Sequence, residues 1–242
     1  MPAAPVVPLL DVSNLGKSYG RIRALDAVSF AIHRGEIVGL IGPNGAGKTT
    51  LFECVAGVLA RDSGEVRVNG WPVAVGAQPP GVFYLPDAIA PWPAQTVQWA
   101  MAFTAGLFGA SVERQQDIVR RLDVATLMDR PIGALSKGQR KRALLAIALS
   151  MPHPVLLIDE PFEGLDLRQA RDMTAVLRSE AAAGRTLLLS IHQIADAARL
   201  CDRFILLSSG RVKGDGTIDA LASQIEGATP TRDLEEVFLA LT

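Results

Sequence analysis

The sequence predicts an α/β fold: a mixed sheet flanked by helices, with an N-terminal antiparallel β region and an all-helical insert. Three observations carry that expectation. Apolar runs without alternation, at Ile37–Ile41, Val155–Ile158 and Leu187–Ile191, read as strands buried on both faces. The first of them leads into Gly42-Pro43-Asn44-Gly45-Ala46-Gly47-Lys48-Thr49-Thr50 and then into Leu51–Ala56, which has no breaker and reads as a buried helix. Between the strands at 82–85 and 155–160, helical spacing takes over.

Strand, GxxxxGK[ST] and helix in that order are the setting of a phosphate-binding loop, so the core reads as that of a P-loop NTPase. Gly42, Gly45 and Gly47 let the backbone wrap close enough for its N–H groups to face phosphate oxygens. The new helix adds the positive end of its dipole. Lys48 supplies a full charge to the β/γ-phosphates, and the Thr49 hydroxyl is placed to ligate Mg²⁺. The bland alternative is a Gly-rich turn between two core elements. The expectation is a nucleoside triphosphate site formed by residues 42–50.

With 242 residues the chain suits one domain, or one domain with a subdomain. A net charge of −1 and an isoelectric point near 6.3 do not favour a nucleic-acid protein. Cys54 and Cys201 lie far apart, with no CxxC or Cys/His cluster, so a disulfide framework or a zinc site is not expected. Buried packing suits both. Met1–Leu10 lacks the basic start of a signal peptide, and residues 1–8 read as a loose tail. No uncharged apolar stretch reaches the ~18 residues of a spanning helix. The hydrophobic fraction is nonetheless 49% and mean hydropathy is +0.25. Alanine content accounts for that richness on one reading, and an apolar docking surface on the other.

Taken in order, Leu9–Val12, Ala27–Ile32 and Glu36–Ile41 read as strands meeting through the His33-Arg34-Gly35 turn, with His33 solvated. Tyr19 falls in a loop between the first two, where it can cap the core or stack on an adenine ring. With a P-loop downstream, stacking is the expected role. Residues 62–70 read as turn, strand and Asn-Gly turn, and Val82–Leu85 as a short buried strand ending at Pro86-Asp87. After the Pro91-Trp92-Pro93 loop come two helices, Thr96–Phe108 and Ser111–Leu122, the second charged on one face. Another helix opens at Ser136, where a Ser/Gly start serves as a cap or an anion site.

Val155–Glu160 then reads as a strand ending in two carboxylates. Asp159 suits a Mg²⁺ shell, and Glu160 suits a general base acting on water. Leu187–His192 reads as a strand ending in a histidine, placed for a γ-phosphate contact. His153, between two prolines, reads as a surface or satisfied core residue. Phe204–Leu207 and Arg211–Lys213 form a terminal hairpin, and Thr229-Pro230-Thr231 starts a last amphipathic helix.

In this order and spacing the motifs resemble those of the ATP-binding cassette (ABC) ATPases over essentially the whole chain. Tyr19 matches the adenine-stacking loop, GPNGAGKTT the Walker A motif and LSKGQ the family signature, normally LSGGQ. VLLIDE matches Walker B, with Glu160 as the catalytic carboxylate, Gly164-Leu165-Asp166 the D-loop, and His192 the switch histidine. The resemblance implies a head-to-tail dimer, of two copies or of paired subunits, with ATP between Walker A of one and the signature of the other. Ser136, Gly138 and Gln139 would then act across the interface. The domain would span 9–242, with a helical subdomain near 88–150 and a C-terminal hairpin and helix near 203–242.

There are two departures from the family pattern. Lys137 replaces the signature's first glycine. Asp87 stands where the family has the Q-loop glutamine, which helps hold Mg²⁺ and couples the insert to the transport partner. Asp87 is expected to reach the metal through a water, or else to cap the loop after Pro86.

The single-cassette layout and LEEVFLAL look most like exporter subunits encoded apart from an integral membrane permease. The expected location is therefore the cytoplasmic face of the membrane. The competing readings are a cassette acting on ribosomes or chromosomes and a regulator that does not hydrolyse. The absence of a second cassette or a coiled-coil insertion argues against the first of these. Intact Lys48, Asp159, Glu160 and His192 argue against the second.

Overall fold

The computed structural model describes residues 7–87, 89–225 and 233–242. β1 (Leu10–Tyr19) and β2 (Ile22–Ile32) form a long antiparallel pair, with Leu10 opposite Ile32 and Tyr19 opposite Ile22. Tyr19 therefore closes a strand rather than sitting in a free loop. β2 and β3 (Ile37–Ile41) do flank the Arg34-Gly35 turn, but they do not pair, and they lie in different sheets. The reason is burial. Exposed positions recur along β2, which needs only one covered face, whereas all five residues of β3 are buried and need a layer on each side. His33 in that turn is half-buried, and its Nδ1 is enclosed without a partner, so it is not simply solvated.

α1 (Lys48–Val55) leaves β3 through the glycine-rich loop. β4 (Ser63–Val68) returns to pair with β1, and the Asn69-Gly70 turn adds β5 (Trp71–Pro72), completing a four-stranded antiparallel sheet in the order β2-β1-β4-β5. β6 (Val82–Leu85) enters the second sheet. Among the described residues three α-helices follow before the next strand: α2 (Val97–Phe108), α3 (Val112–Arg121) and α4 (Lys137–Ser150). The side chains of Thr96, Ser111 and Ser136 cap them, each accepting a backbone N–H three residues on.

The remaining elements alternate strand and helix. They are β7 (Val155–Asp159), α5 (Leu167–Ala182), β8 (Thr186–Ser190), α6 (Ile194–Leu200), β9 (Arg203–Ser208) and β10 (Arg211–Gly216), then α7 (Ile218–Ala222) and α8 (Leu234–Leu241). The second sheet runs β10-β9-β3-β8-β7-β6, parallel throughout except for β10. Residues 229–231 lie outside the described residues, and Asp233 caps α8 through its side chain.

Alternate residues of the parallel strands feed two cores. Val38, Leu40, Leu157 and Leu188 pack with Phe52 and the antiparallel sheet; Ile37, Ile41, Ile158 and Leu189 pack with α4, α5 and α6. Both cysteines are buried, and burial pushes the Cys54 thiol up to about 11. His153 is wedged against the rings of Phe83 and Phe108 at 5.3 and 4.8 Å. Among the described residues no helix is long and apolar enough to cross a membrane.

Candidate nucleotide site

Four parallel strands deliver their functional side chains to one edge of the sheet, at their carboxyl ends. β3 gives the glycine-rich loop, β6 gives Asp87 two residues past Leu85, and β7 gives Asp159 and Glu160. β8 stops at Ser190, so His192 stands two residues beyond the strand instead of ending it. A cavity of about 480 Å³ is bounded by Asn44, Gly45, Ala46, Gly47, Lys48, Thr49 and Thr50, facing Asp87, Asp159 and Glu160.

Within the loop, Gly47 is the N-cap of α1 at φ 105°, and a Cβ there would lie 2.6 Å from the Ala24 carbonyl oxygen. Only glycine lets the loop close against β2 in that conformation. The buried Lys48 ammonium donates to the carbonyl oxygens of Gly42 at 2.7 Å and Pro43 at 3.3 Å, which holds the charge against the loop. The Thr49 hydroxyl donates to Asp159 Oδ2 at 3.0 Å. This convergence of a hydroxyl and a carboxylate is a hard oxygen set, of the kind that suits Mg²⁺ when phosphate oxygens and waters complete the shell.

Glu160 has φ 50°, a left-handed conformation that is costly for a side-chain-bearing residue. Its N–H donates to the Ser190 carbonyl at 3.0 Å, and its Oε2 accepts the His192 N–H at 3.0 Å. Burial raises the Glu160 carboxyl above its ordinary range, against the lowering effect of the His192 hydrogen bond. Glu160 and the exposed His192 share a second cavity, of about 360 Å³, with Asn44 and Asp87.

Asp87 lies on the cavity wall, with its carboxylate bonded to Lys141 Nζ at 2.5 Å. Lys141 is 6% exposed and also donates to the Asp159 carbonyl oxygen at 3.2 Å. The expectation of a metal-facing or loop-capping Asp87 did not include this partner. A lysine inside a Lys-Gly-Gln-Arg-Lys-Arg run looks like part of a solvated face.

Tyr19 is 48% exposed, with Lys17 Nζ 5.8 Å from its ring centroid, and it does not line the cavity. Ile22, Arg23 and Ala24 of β2 line it instead, together with Ser209 and Gly210. Those five carry no motif and were not legible.

The signature residues stand apart as well. Ser136 and Gln139 form a reciprocal capping box, and Gln139 Oε1 also accepts from Arg130 at 3.1 Å. A Cβ on Gly138 would meet the Gly164 carbonyl oxygen at 2.4 Å, so glycine is what lets α4 rest on the Gly164 turn. Lys137 pairs with Glu163 at 2.5 Å. Ser136, Gly138 and Gln139 line neither cavity.

A family model described as "ABC transporter" matches residues 25–163, more than half of the chain. The chain belongs to the ABC transporter family. It is an ABC-type ATPase, and its fold is that of solved cassettes. The structure of an ATP-binding subunit of an ABC transporter superposes with a TM-score of 0.85 at 30% identity, covering 96% of this ABC ATPase and 99% of that chain. Among curated relatives, a Nod factor export ATP-binding protein of Burkholderia lata is 36% identical, covering 91% of this chain and 73% of its own. A cobalt import ATP-binding protein of Rhodobacter capsulatus is 35% identical, covering 90% and 82%.

Proposed function

We propose that this ABC ATPase powers an integral membrane permease, in the export direction, through an ATP-driven head-to-tail dimer at the cytoplasmic face of the membrane. The observation that carries the reading is the convergence of Lys48, Thr49, Asp159 and Glu160 at the carboxyl ends of β3 and β7. Residues 42–50 bind the phosphates of ATP, with Lys48 against the β/γ-phosphates. Thr49 and Asp159 would hold Mg²⁺, which would supply positive charge to the transferring phosphoryl group. Glu160 takes the proton of the attacking water, and His192 contacts the γ-phosphate. Tyr19 lies outside the cavity but pairs with Ile22, which lines it, and this supports Tyr19 as the residue that stacks on the adenine.

The separation of Ser136, Gly138 and Gln139 from both cavities supports their acting on ATP held by the partner subunit. Trp92, Trp99 and Phe103, an exposed aromatic cluster on the insert, support docking of a permease. The export direction rests on the Leu234–Leu241 segment and on the likeness to the Nod factor relative. Import is the second reading, favoured by the near-equal likeness to the cobalt relative.

Lys48→Ala tests the site. It is expected to lose ATP binding in equilibrium titration while keeping the wild-type circular dichroism spectrum, because among the described residues no other lysine lines the loop cavity. ATP affinity near that of the wild type would reject the assignment of the loop. Tight association of the wild type with ribosomes or nucleic acid instead of a permease would reject the transport reading.

A further inference from the structure

We propose that Lys141 is a positioning residue for Glu160, holding the Asp159–Glu160 peptide in the orientation that the left-handed Glu160 backbone requires, with Asp87 anchoring the Lys141 ammonium. This rests on the reading of Glu160 as the base.

The geometry is that of a peptide clamped at both ends. Its carbonyl oxygen, on Asp159, accepts from Lys141 Nζ at 3.2 Å. Its N–H, on Glu160, donates to the Ser190 carbonyl oxygen at 3.0 Å. The peptide plane is therefore set from α4 on one side and from β8 on the other. Rotating it changes φ of Glu160, which stands at 50°. That region is disfavoured for a residue with a Cβ, so it persists only where the surroundings over-determine it. The same rotation would swing the Glu160 side chain away from the His192 N–H that holds its Oε2 at 3.0 Å.

Lys141 can do this because it is itself held. Its side chain is 6% exposed, and an ammonium at such a site requires a counter-charge. Asp87 Oδ1, at 2.5 Å, supplies one. Asp87 leaves β6 at the same sheet edge, so β6, α4 and β7 are joined through one ammonium. A glutamine at position 87 would offer an amide oxygen without the charge. The carboxylate is thus matched to the lysine, and its task in this chain is to fix Lys141 rather than to bind metal.

The test is a mutant cycle in the full-length chain, read by single-turnover hydrolysis of ATP and by equilibrium ATP titration. In the wild-type background, Lys141→Met is expected to slow hydrolysis by about 10²-fold, the typical cost of a small misplacement of a reacting group. ATP affinity stays within about 3-fold, since the lost interaction is one made for the transition state. In a Glu160→Gln background the same substitution should cost less than about 3-fold, because its target is already disabled. Asp87→Asn should slow the wild type, add nothing once Lys141 is methionine, and leave Mg²⁺ half-saturation unchanged. Lys141→Gln, which keeps a shorter, uncharged donor, carries the comparison if the methionine variant does not fold, with the same dependence on Glu160 expected.

Equal losses in both backgrounds would overturn the proposal, as would a loss of ATP affinity matching the loss of rate. A shift of Mg²⁺ half-saturation in Asp87→Asn alone would return Asp87 to the metal. If Glu160→Gln itself hydrolyses at the wild-type rate, the reading of Glu160 as base fails. Coupling that is absent while Glu160→Gln is slow counts against Lys141 only.

Discussion

The role proposed for Glu160 places the chemistry of the site on one half-buried carboxylate with a constrained backbone. Its amide analogue keeps the shape and can still accept the His192 N–H, but it cannot take a proton from water. Glu160→Gln should therefore bind ATP normally and hydrolyse it about 10²–10⁴-fold more slowly, the usual cost of losing a general base. Steady-state turnover with ATP titration checks this, and a rate within a few-fold of the wild type would exclude Glu160. The pH dependence has a definite sign. Burial raises the carboxyl above its ordinary range, and a base works only when deprotonated, so activity falls as pH drops through that raised value. The acid limb of the kcat/KM profile, which reports the free enzyme, should lie above the ordinary glutamate range of about 4.3, and the residual activity of Glu160→Gln should lack it.

At the scale of elements, a second charged cluster decides stability rather than chemistry. Glu180 on α5 is 3% exposed and accepts from Arg114 at 2.6 Å, Arg121 at 2.8 Å and Arg185 at 3.1 Å. Burial alone would raise its carboxyl; Arg114, aided by Arg185, outweighs burial and holds it below the usual range. Arg114 and Arg185 also donate to the Leu149 carbonyl oxygen at the end of α4, so the cluster fastens α3, α4, α5 and the start of β8. Glu180→Ala leaves three guanidinium groups around an empty site, and breaking a buried pair costs about 3–5 kcal/mol. The retained carbonyl acceptors place this case near 3 kcal/mol, read as a lower urea midpoint with ATP affinity unchanged in the folded fraction. A depressed folded pKa means that this stability is complete above the unfolded value and is lost as pH falls through the folded one.

None of this cluster was legible in the sequence, where Arg114 and Arg121 belong to a helix charged on one face. Periodicity reports which face is polar, not whether that face meets water or another carboxylate. The strands at 82–85, 155–159 and 186–190 were legible for the opposite reason, since continuous apolar runs have no solvated face to offer. The glycine-rich loop was legible because its chemistry is local in sequence. The division of β2 and β3 between two sheets, and the Lys141 link between Asp87 and Asp159, depend on contacts between distant segments. No window of residues contains them.

At the scale of the molecule, the outer surface of the insert carries the proposed permease contact. Trp92, Trp99 and Phe103 are 43%, 40% and 47% exposed, yet they lie together, with ring centroids 5.0–5.6 Å apart and Trp99 stacked on Phe103. Packing against one another leaves each ring partly exposed. Large aromatics in that state gain most from a partner that removes the remaining water, and they are the residue types that dominate interface energetics. The three rings thus form one exposed aromatic patch. A cavity of about 780 Å³, walled by Phe83, Ile89 and Phe108, lies on the side of β6 that also carries Asp87. A permease seated there would touch the segment that anchors Lys141, which gives it a physical route to Glu160. Trp99→Asp should therefore lower co-purification with the permease at least 10-fold, because a charge in a desolvated aromatic anchor site is among the costlier interface changes. ATP affinity and the basal hydrolysis of the isolated chain should stay at wild-type values. Leu239→Asp serves as the control, since Leu239 is 71% exposed on α8 and belongs to no such cluster. Permease recovery with Trp99→Asp equal to that with Leu239→Asp would show that the aromatic cluster is not the docking surface.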